Sequence, residues 1–345
     1  MAINGVKSLV YGVDDLDTCI RFYEDFGLAL TRKDVNGADF ATEEGSTILL
    51  RKRNDPSLPA DALARPAVRE MIWGVDSPAA LAALEKNLSA DRKVTKDAAG
   101  ALHTTDALGI PIGFALFERR PVKFEQVPVN TPDDVRRWDA NRKWYQRASP
   151  RLIHHVGYAV PRAKIDVLTD FYVERLNFRV TDISRGLAMF LLADGRQDHH
   201  SIFLIASDIF KTDGMLFNHV SFGVENIDEL MAGANYMQRR KWQSFIGLGR
   251  HRISSAINFY IDNPAGGQSE YLTDTDFVTD AWKPRIWNPA FGAYMWTAQI
   301  PEMFLGEPQW ECEIVEGRIP KFMEVSRPPE GAVQSTPSGA RAAGQ

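Results

Sequence analysis

The chain has 345 residues, 44% of them hydrophobic, with 40 Lys and Arg against 45 Asp and Glu for a net charge of −5. That length predicts about two domains, and the charge balance gives neither nucleic acid nor an anionic membrane a reason to bind. No apolar run nears the roughly 18 residues of a spanning helix, the N-terminus lacks the pattern of a signal peptide, and only Cys19 and Cys312 are available for disulfides or thiolate clusters; the expected setting is reducing and cytoplasmic.

From Val6, VKSLVYGVDDLDTCIRFYEDFGLALT reads as a strand, an amphipathic helix behind Asp15 and a second strand. From Arg69, REMIWGVDSPAALAALEKNL repeats that order, with Asp76-Ser77-Pro78 as the helix start. Residues 119–150 hold four prolines and many charges without clean periodicity, and are expected to form a linker with a short surface helix. From His154, HHVGYAVPRAKIDVLTDFYVERLNFRVT parallels the first segment, and from Asn218, NHVSFGVENIDELMAGANYMQRR parallels the second, capped by Asn226. Four repeated strand–helix–strand units therefore predict an α+β fold of two domains, 1–118 and 151–325. Residues 326–345, rich in Pro, Gly, Ala and Ser, are expected to be a disordered tail.

Six of the seven histidines lie between His154 and His251. His155 stands three residues before Tyr158 in one repeat and His219 three before Phe222 in the next, 219 − 155 = 64 residues apart. If the repeats pack as halves of one cupped sheet, the two imidazoles face each other, and Glu270 on the last strand can complete the set. Two neutral imidazoles and a carboxylate form the facial triad suited to non-haem iron, with positions left open for substrate and dioxygen. Taken singly, a strand histidine is ordinarily a hydrogen-bonded structural residue and a strand glutamate ordinarily solvated. The N-terminal copy argues against that blander account. Its equivalents, aligned by repeat, are Ser8, Glu70 and Phe114, so the fold itself does not demand histidine. His103 has no partner visible in the sequence and reads as a surface or structural residue.

The segment from Gly249 to Glu270, GRHRISSAINFYIDNPAGGQSE, carries a longer pattern. It runs from a small residue to His251, then seven residues to Phe259-Tyr260, two to Asn263-Pro264, Gly266 and finally Glu270. This motif resembles the signature of type I extradiol ring-cleaving dioxygenases of the vicinal oxygen chelate superfamily, and with the repeats the resemblance spans roughly Val6 to Trp310. It implies βαβββ modules in cupped, barrel-like mixed sheets and O2-dependent meta cleavage of a catechol in aromatic catabolism. It further implies Fe(II), or alternatively Mn(II), on His155, His219 and Glu270, and a homo-oligomer. His251 and Tyr260 would hydrogen-bond the substrate hydroxyls. A histidine of the pair His199-His200 would be the distal acid–base, with His199 favoured by the order His, His, Ser, and His200 the alternative. His154 would support the site without ligating. The Asn263–Gly267 stretch reads equally as a hairpin turn, and the Trp-rich segment from Asp276 as a packing element or an aromatic wall. A glyoxalase-like enzyme or a non-catalytic binding protein of the same fold are the competing accounts; neither calls for His251, Tyr260 and the histidine pair around the metal.

Overall fold

Three helices start where cap residues predict them. Asp15 accepts from the Thr18 amide to begin α1 (Leu16–Phe26), Ser77 from Ala80 to begin α2 (Pro78–Leu88), and Asn226 from Asp228 and Glu229 to begin α4 (Ile227–Arg239). The helix of the third unit, α3 (Ile165–Asp170), runs on through a π turn at Phe171–Arg175. The architecture is that of a computed structural model, which describes residues 3–125 and 128–326.

The first sheet contains β1 (Ile3–Val13), β2 (Ala29–Lys33), β3 (Gly37–Ala41), β4 (Thr47–Lys52), β5 (Val68–Val75), β6 (Thr95–Lys96), β7 (Leu102–Thr105) and β8 (Pro111–Leu116), in the order β2-β3-β4-β1-β5-β8-β7-β6. The second contains β9 (Leu152–Val160), β10 (Arg179–Ser184), β11 (Ala188–Leu192), β12 (Ile202–Ala206), β13 (Leu216–Gly223), β14 (Leu248–Arg250), β15 (Ile257–Asp262) and β16 (Gln268–Thr273). Its order, β10-β11-β12-β9-β13-β16-β15-β14, is the same arrangement eight positions on. Beyond it β17 (Arg285–Trp287) and β19 (Cys312–Ile314) extend one edge and β18 (Trp296–Thr297) the other. Each sheet is thus two βαβββ modules, joined through their first strands: β1 with β5 and β9 with β13, both antiparallel.

One apolar core runs through both halves. Phe26 of α1 stacks on Tyr271 of β16 with ring centroids 4.2 Å apart, the Tyr271 hydroxyl donates to the Phe26 carbonyl at 2.7 Å, and Asn263 donates to the Tyr23 hydroxyl at 2.7 Å. Between β15 and β16 the Asn263–Gly267 turn takes φ values of 108° at Gly266 and 67° at Gly267. Both lie in the left-handed region that glycine adopts without strain, and a Cβ on Gly266 would stand 2.3 Å from the Pro66 carbonyl oxygen.

The expected short helix within 119–150 is absent among the described residues of that segment, which hold an isolated bridge between Thr131 and Asp134 instead. Pro121, Pro128 and Pro132 explain the difference, since each removes a backbone donor and restricts the residue before it. Beyond Ser326, the expected tail lies outside the described residues. No helix among the described residues is long and apolar enough to cross a membrane.

Candidate metal centre

His155, His219 and Glu270 come from three neighbouring strands, β9, β13 and β16. Ser221 of β13 pairs with both His155 and Glu270, and His219 lies two residues before Ser221, so the period of two sends all three side chains to one face. Opposite His219 the register places Gly157, where a Cβ would stand 2.7 Å from the imidazole. The glycine of the His-Val-Gly segment therefore makes room for the His219 ring.

The three donors converge. His155 Nε2 lies 2.8 Å from His219 Nε2, and Glu270 Oε2 lies 3.5 Å from the former and 3.7 Å from the latter. Ligands at about 2.1 Å from one ion and at right angles stand about 3 Å apart, which these separations match or slightly exceed. All three side chains are buried, and neither carboxylate oxygen of Glu270 accepts a hydrogen bond. Burial lowers the His155 imidazole far below its ordinary value, takes His219 down to about 3 and lifts Glu270 up to about 8. Two neutral nitrogen lone pairs and an unpartnered carboxylate in a dry site fit a divalent cation, and they are the one such donor group among the described residues.

Neighbouring groups set the ring tautomers. His219 Nδ1 donates to Asn218 Oδ1 at 2.6 Å, which leaves Nε2 as the lone pair. His155 Nδ1 is 2.9 Å from His154 Nδ1, and His154 Nε2 stands 3.1 Å from Asp198 Oδ2. Asp198 in turn accepts from Arg196 Nε at 2.7 Å; burial raises the carboxyl, but Arg196 outweighs it and holds the group at about 2. A fixed negative charge thus stands behind His154, which stands behind His155, though His154 Nε2 makes no hydrogen bond to it.

The open side of the set is lined by His200, His251 and Tyr260. His251 Nδ1 donates to the Ala293 carbonyl at 2.6 Å, so Nε2 accepts from the Tyr260 hydroxyl, 3.2 Å away. Burial keeps His251 neutral by lowering it to about 4 and holds Tyr260 in its phenol form.

Of the histidine pair, the structure turns His200 rather than His199 to the cavity. The His200 ring lies 4.1 Å from the His155 ring. His199 points the other way, with Nε2 3.0 Å from Asp182 and its ring against Trp282. The two side chains point to opposite sides of a bent segment, so of the pair it is His200 that lines the cavity. His199 still matters to its neighbour: with Nε2–H given to Asp182, its Nδ1 accepts from His200 Nδ1 at 3.1 Å, and His200 Nε2 is left as a base.

The degenerate half differs from expectation in one position. Val10 of β1 pairs with Glu70, Ser8 with Ile72, and Ile72 with Gly113, so Gly113 rather than Phe114 matches Glu270. His103 pairs with Gly113 as Tyr260 does with Glu270. It is therefore not without partners: Nδ1 lies 2.7 Å from Glu70 Oε1 and Nε2 3.3 Å from Asp97. Asp182, Asp198, Asn218 and Tyr294, which lies 4.9 Å ring to ring from His251, escaped sequence reasoning. Only Asn218 carried a local signal, standing before His219 as His154 stands before His155.

No family model matches the chain. It is 20% identical to the Mn(II)-bound glyoxalase from Novosphingobium aromaticivorans, with a TM-score of 0.69 over 90% of this chain and 96% of that one. Homoprotocatechuate 2,3-dioxygenase from Arthrobacter globiformis aligns with a TM-score of 0.65 at 19% identity, over 89% and 91%. The chain has the vicinal oxygen chelate fold. Among curated proteins of known sequence, metapyrocatechase 2 from Cupriavidus necator is 29% identical over 166 residues, 48% of this chain. The match spans about half the length of that relative, 50%. In this chain the donor set sits in the C-terminal sheet, and the matching positions of the N-terminal sheet hold no such set.

Proposed function

We propose that the protein is an Fe(II)-dependent extradiol dioxygenase. In this reading residues 1–118 form a supporting domain, 119–150 a linker, and 151–325 the catalytic domain. The observation that carries it is the convergence of His155, His219 and Glu270 within 3.7 Å, with the carboxylate unpartnered. The wall opposite the donors holds a base, His200, and a hydroxyl-binding pair, His251 and Tyr260. A glyoxalase-like reaction or simple ligand sequestration gives that wall no task. The same two imidazoles and carboxylate also suit Mn(II), which such a set binds less tightly than Fe(II).

The reaction inserts both atoms of O2 into a catecholic ring and breaks the carbon–carbon bond beside the two hydroxylated carbons. When held by His155, His219 and Glu270, the metal would supply Lewis acidity toward the catechol oxygens and an electronic path to dioxygen, the electrons that reduce O2 coming from the catechol ring itself. His251 Nε2 and the Tyr260 oxygen orient the hydroxyls at the donor end of the cavity. His200 Nε2, poised as a base by His199 and Asp182, takes one hydroxyl proton and returns it to oxygen as the O–O bond breaks. Phe190 and Phe203, beside His200 and His219, keep bulk water from the reacting atoms.

The test is anaerobic loading with Fe(II), then mixing with catechols in air while visible absorbance and oxygen are recorded. The reading expects a yellow ring-opened product with about one O2 consumed per ring. Metal binding without cleavage across a panel of catechols would overturn it.

A further inference from the structure

The cavity above the donor set has a volume of about 710 Å³. An apolar cavity of about 150 Å³ suffices for one benzene ring, so a single catechol would leave most of this space empty. What lines the remainder is a second apolar cluster, separate from the main core, built around Leu187, Phe190, Ile205, Leu216 and Ile253. Ile209, Phe210 and Phe304 pack against it and are only partly buried, because their remaining surface faces the cavity. The cluster begins at the metal end, where Phe190 lies 5.1 Å ring to ring from His200. It ends at a rim where Phe245 is 68% and Met303 49% exposed.

Charge is confined to the ends. Among the described lining residues, Glu270 belongs to the donor set, and Arg65 and Asp262 are exposed at the mouth. Asp262 is already engaged by Gln268 at 2.9 Å. No lysine lines the cavity and no arginine lines its apolar stretch, so a carboxylate carried past the rim would be desolvated without a partner.

Resting on the dioxygenase reading, we infer that the substrate is a catechol bearing a bulky, uncharged, apolar substituent of at least one further ring. The diol end chelates at the donor set, and the substituent fills the space between Phe190 and Phe304. The same surface disfavours catechols with a carboxylated side chain.

The experiment compares three probes on the Fe(II)-loaded protein: 2,3-dihydroxybiphenyl, catechol and 3,4-dihydroxyphenylacetate. Burial of a second ring predicts a kcat/KM for the biphenyl diol at least about tenfold above catechol, with the carboxylated diol the poorest of the three. Calorimetry on the metal-free protein should show 2-hydroxybiphenyl binding about tenfold tighter than phenol. Narrowing the space with Ile209→Trp, or removing part of its wall with Phe304→Ala, should lower the biphenyl-to-catechol ratio; using both guards against one variant failing to fold. Cleavage that favours catechol or the carboxylated diol would overturn the inference while leaving the dioxygenase reading intact. Apolar binding to metal-free protein with no diol cleaved would sink the dioxygenase reading and keep the pocket's preference for an apolar ligand. Equal binding of phenol and 2-hydroxybiphenyl would overturn the preference itself.

Discussion

The two sheets place equivalent positions on equivalent strands and close them in different ways. In the N-terminal sheet Ser8, Glu70, His103 and Gly113 occupy the places of His155, His219, Tyr260 and Glu270. There the polar groups satisfy one another: Glu70 accepts from His103, and the Glu70 carboxylate pushes that imidazole up to about 9. In the C-terminal sheet burial drives every member toward neutrality, and the Glu270 oxygens have no partner in the protein. Since buried polar groups are normally paired, the first arrangement is complete and the second leaves donors free for the cation proposed above. One scaffold thus holds an internal ion pair in one sheet and, in the function proposed, a metal centre in the other.

The largest effect should come from breaking the C-terminal set. His219→Ala or Glu270→Ala should abolish both iron retention and ring cleavage, measured by metal analysis and oxygen uptake. Turnover by iron-depleted His219→Ala protein would contradict the assignment. Next in size, His200→Asn should leave iron bound while slowing cleavage by about 10²–10⁴-fold, the usual contribution of a proton-transfer residue. His199→Asn should cost less and shift the pH profile, because His199 reaches the substrate only through His200. Asp198→Asn should weaken Fe(II) binding by about 10–100-fold, as loss of support behind a ligand does, with the fold preserved by circular dichroism.

The smallest effect lies in the N-terminal sheet. His103 holds its proton more tightly when folded than its ordinary value of 6.5. Its contribution is therefore present in full below about pH 6.5 and lost as pH rises through about 9. The pair is partly open to solvent and contributes about 1 kcal/mol or less. Glu70→Gln should flatten the pH dependence of unfolding between those limits and leave metal content unchanged. Altered iron binding in that variant would break the separation between the two sheets.

Most of the fold was legible because the repeats carry it. Apolar periods recur in every module and cap residues in three of the four, His155 and His219 stand at matching places 64 residues apart, and Glu270 closes a long motif. What stayed hidden depends on register or on distant chain. Choosing between Gly113 and Phe114 is a one-residue question that strand pairing answers and spacing does not, and which of His199 and His200 faces the cavity depends on how the chain bends there. Asp198 reaches His154 across 44 positions, by 198 − 154, and Asp182 precedes His199 by 17. Neither lies in a motif. Tyr294 arrives from the Trp-rich segment, which also adds β17 and β18 to the sheet edges and so acts both as packing and as cavity wall.

We propose that the C-terminal set is complete only with a metal. Anaerobic titration of metal-free protein with Fe(II), run beside Glu270→Gln, tests it most directly. The wild-type chain should saturate at one ion per chain and become competent to cleave a catechol on exposure to air, while the variant should show neither property. Absence of saturable binding by the wild type, or equal binding by Glu270→Gln, would contradict the account.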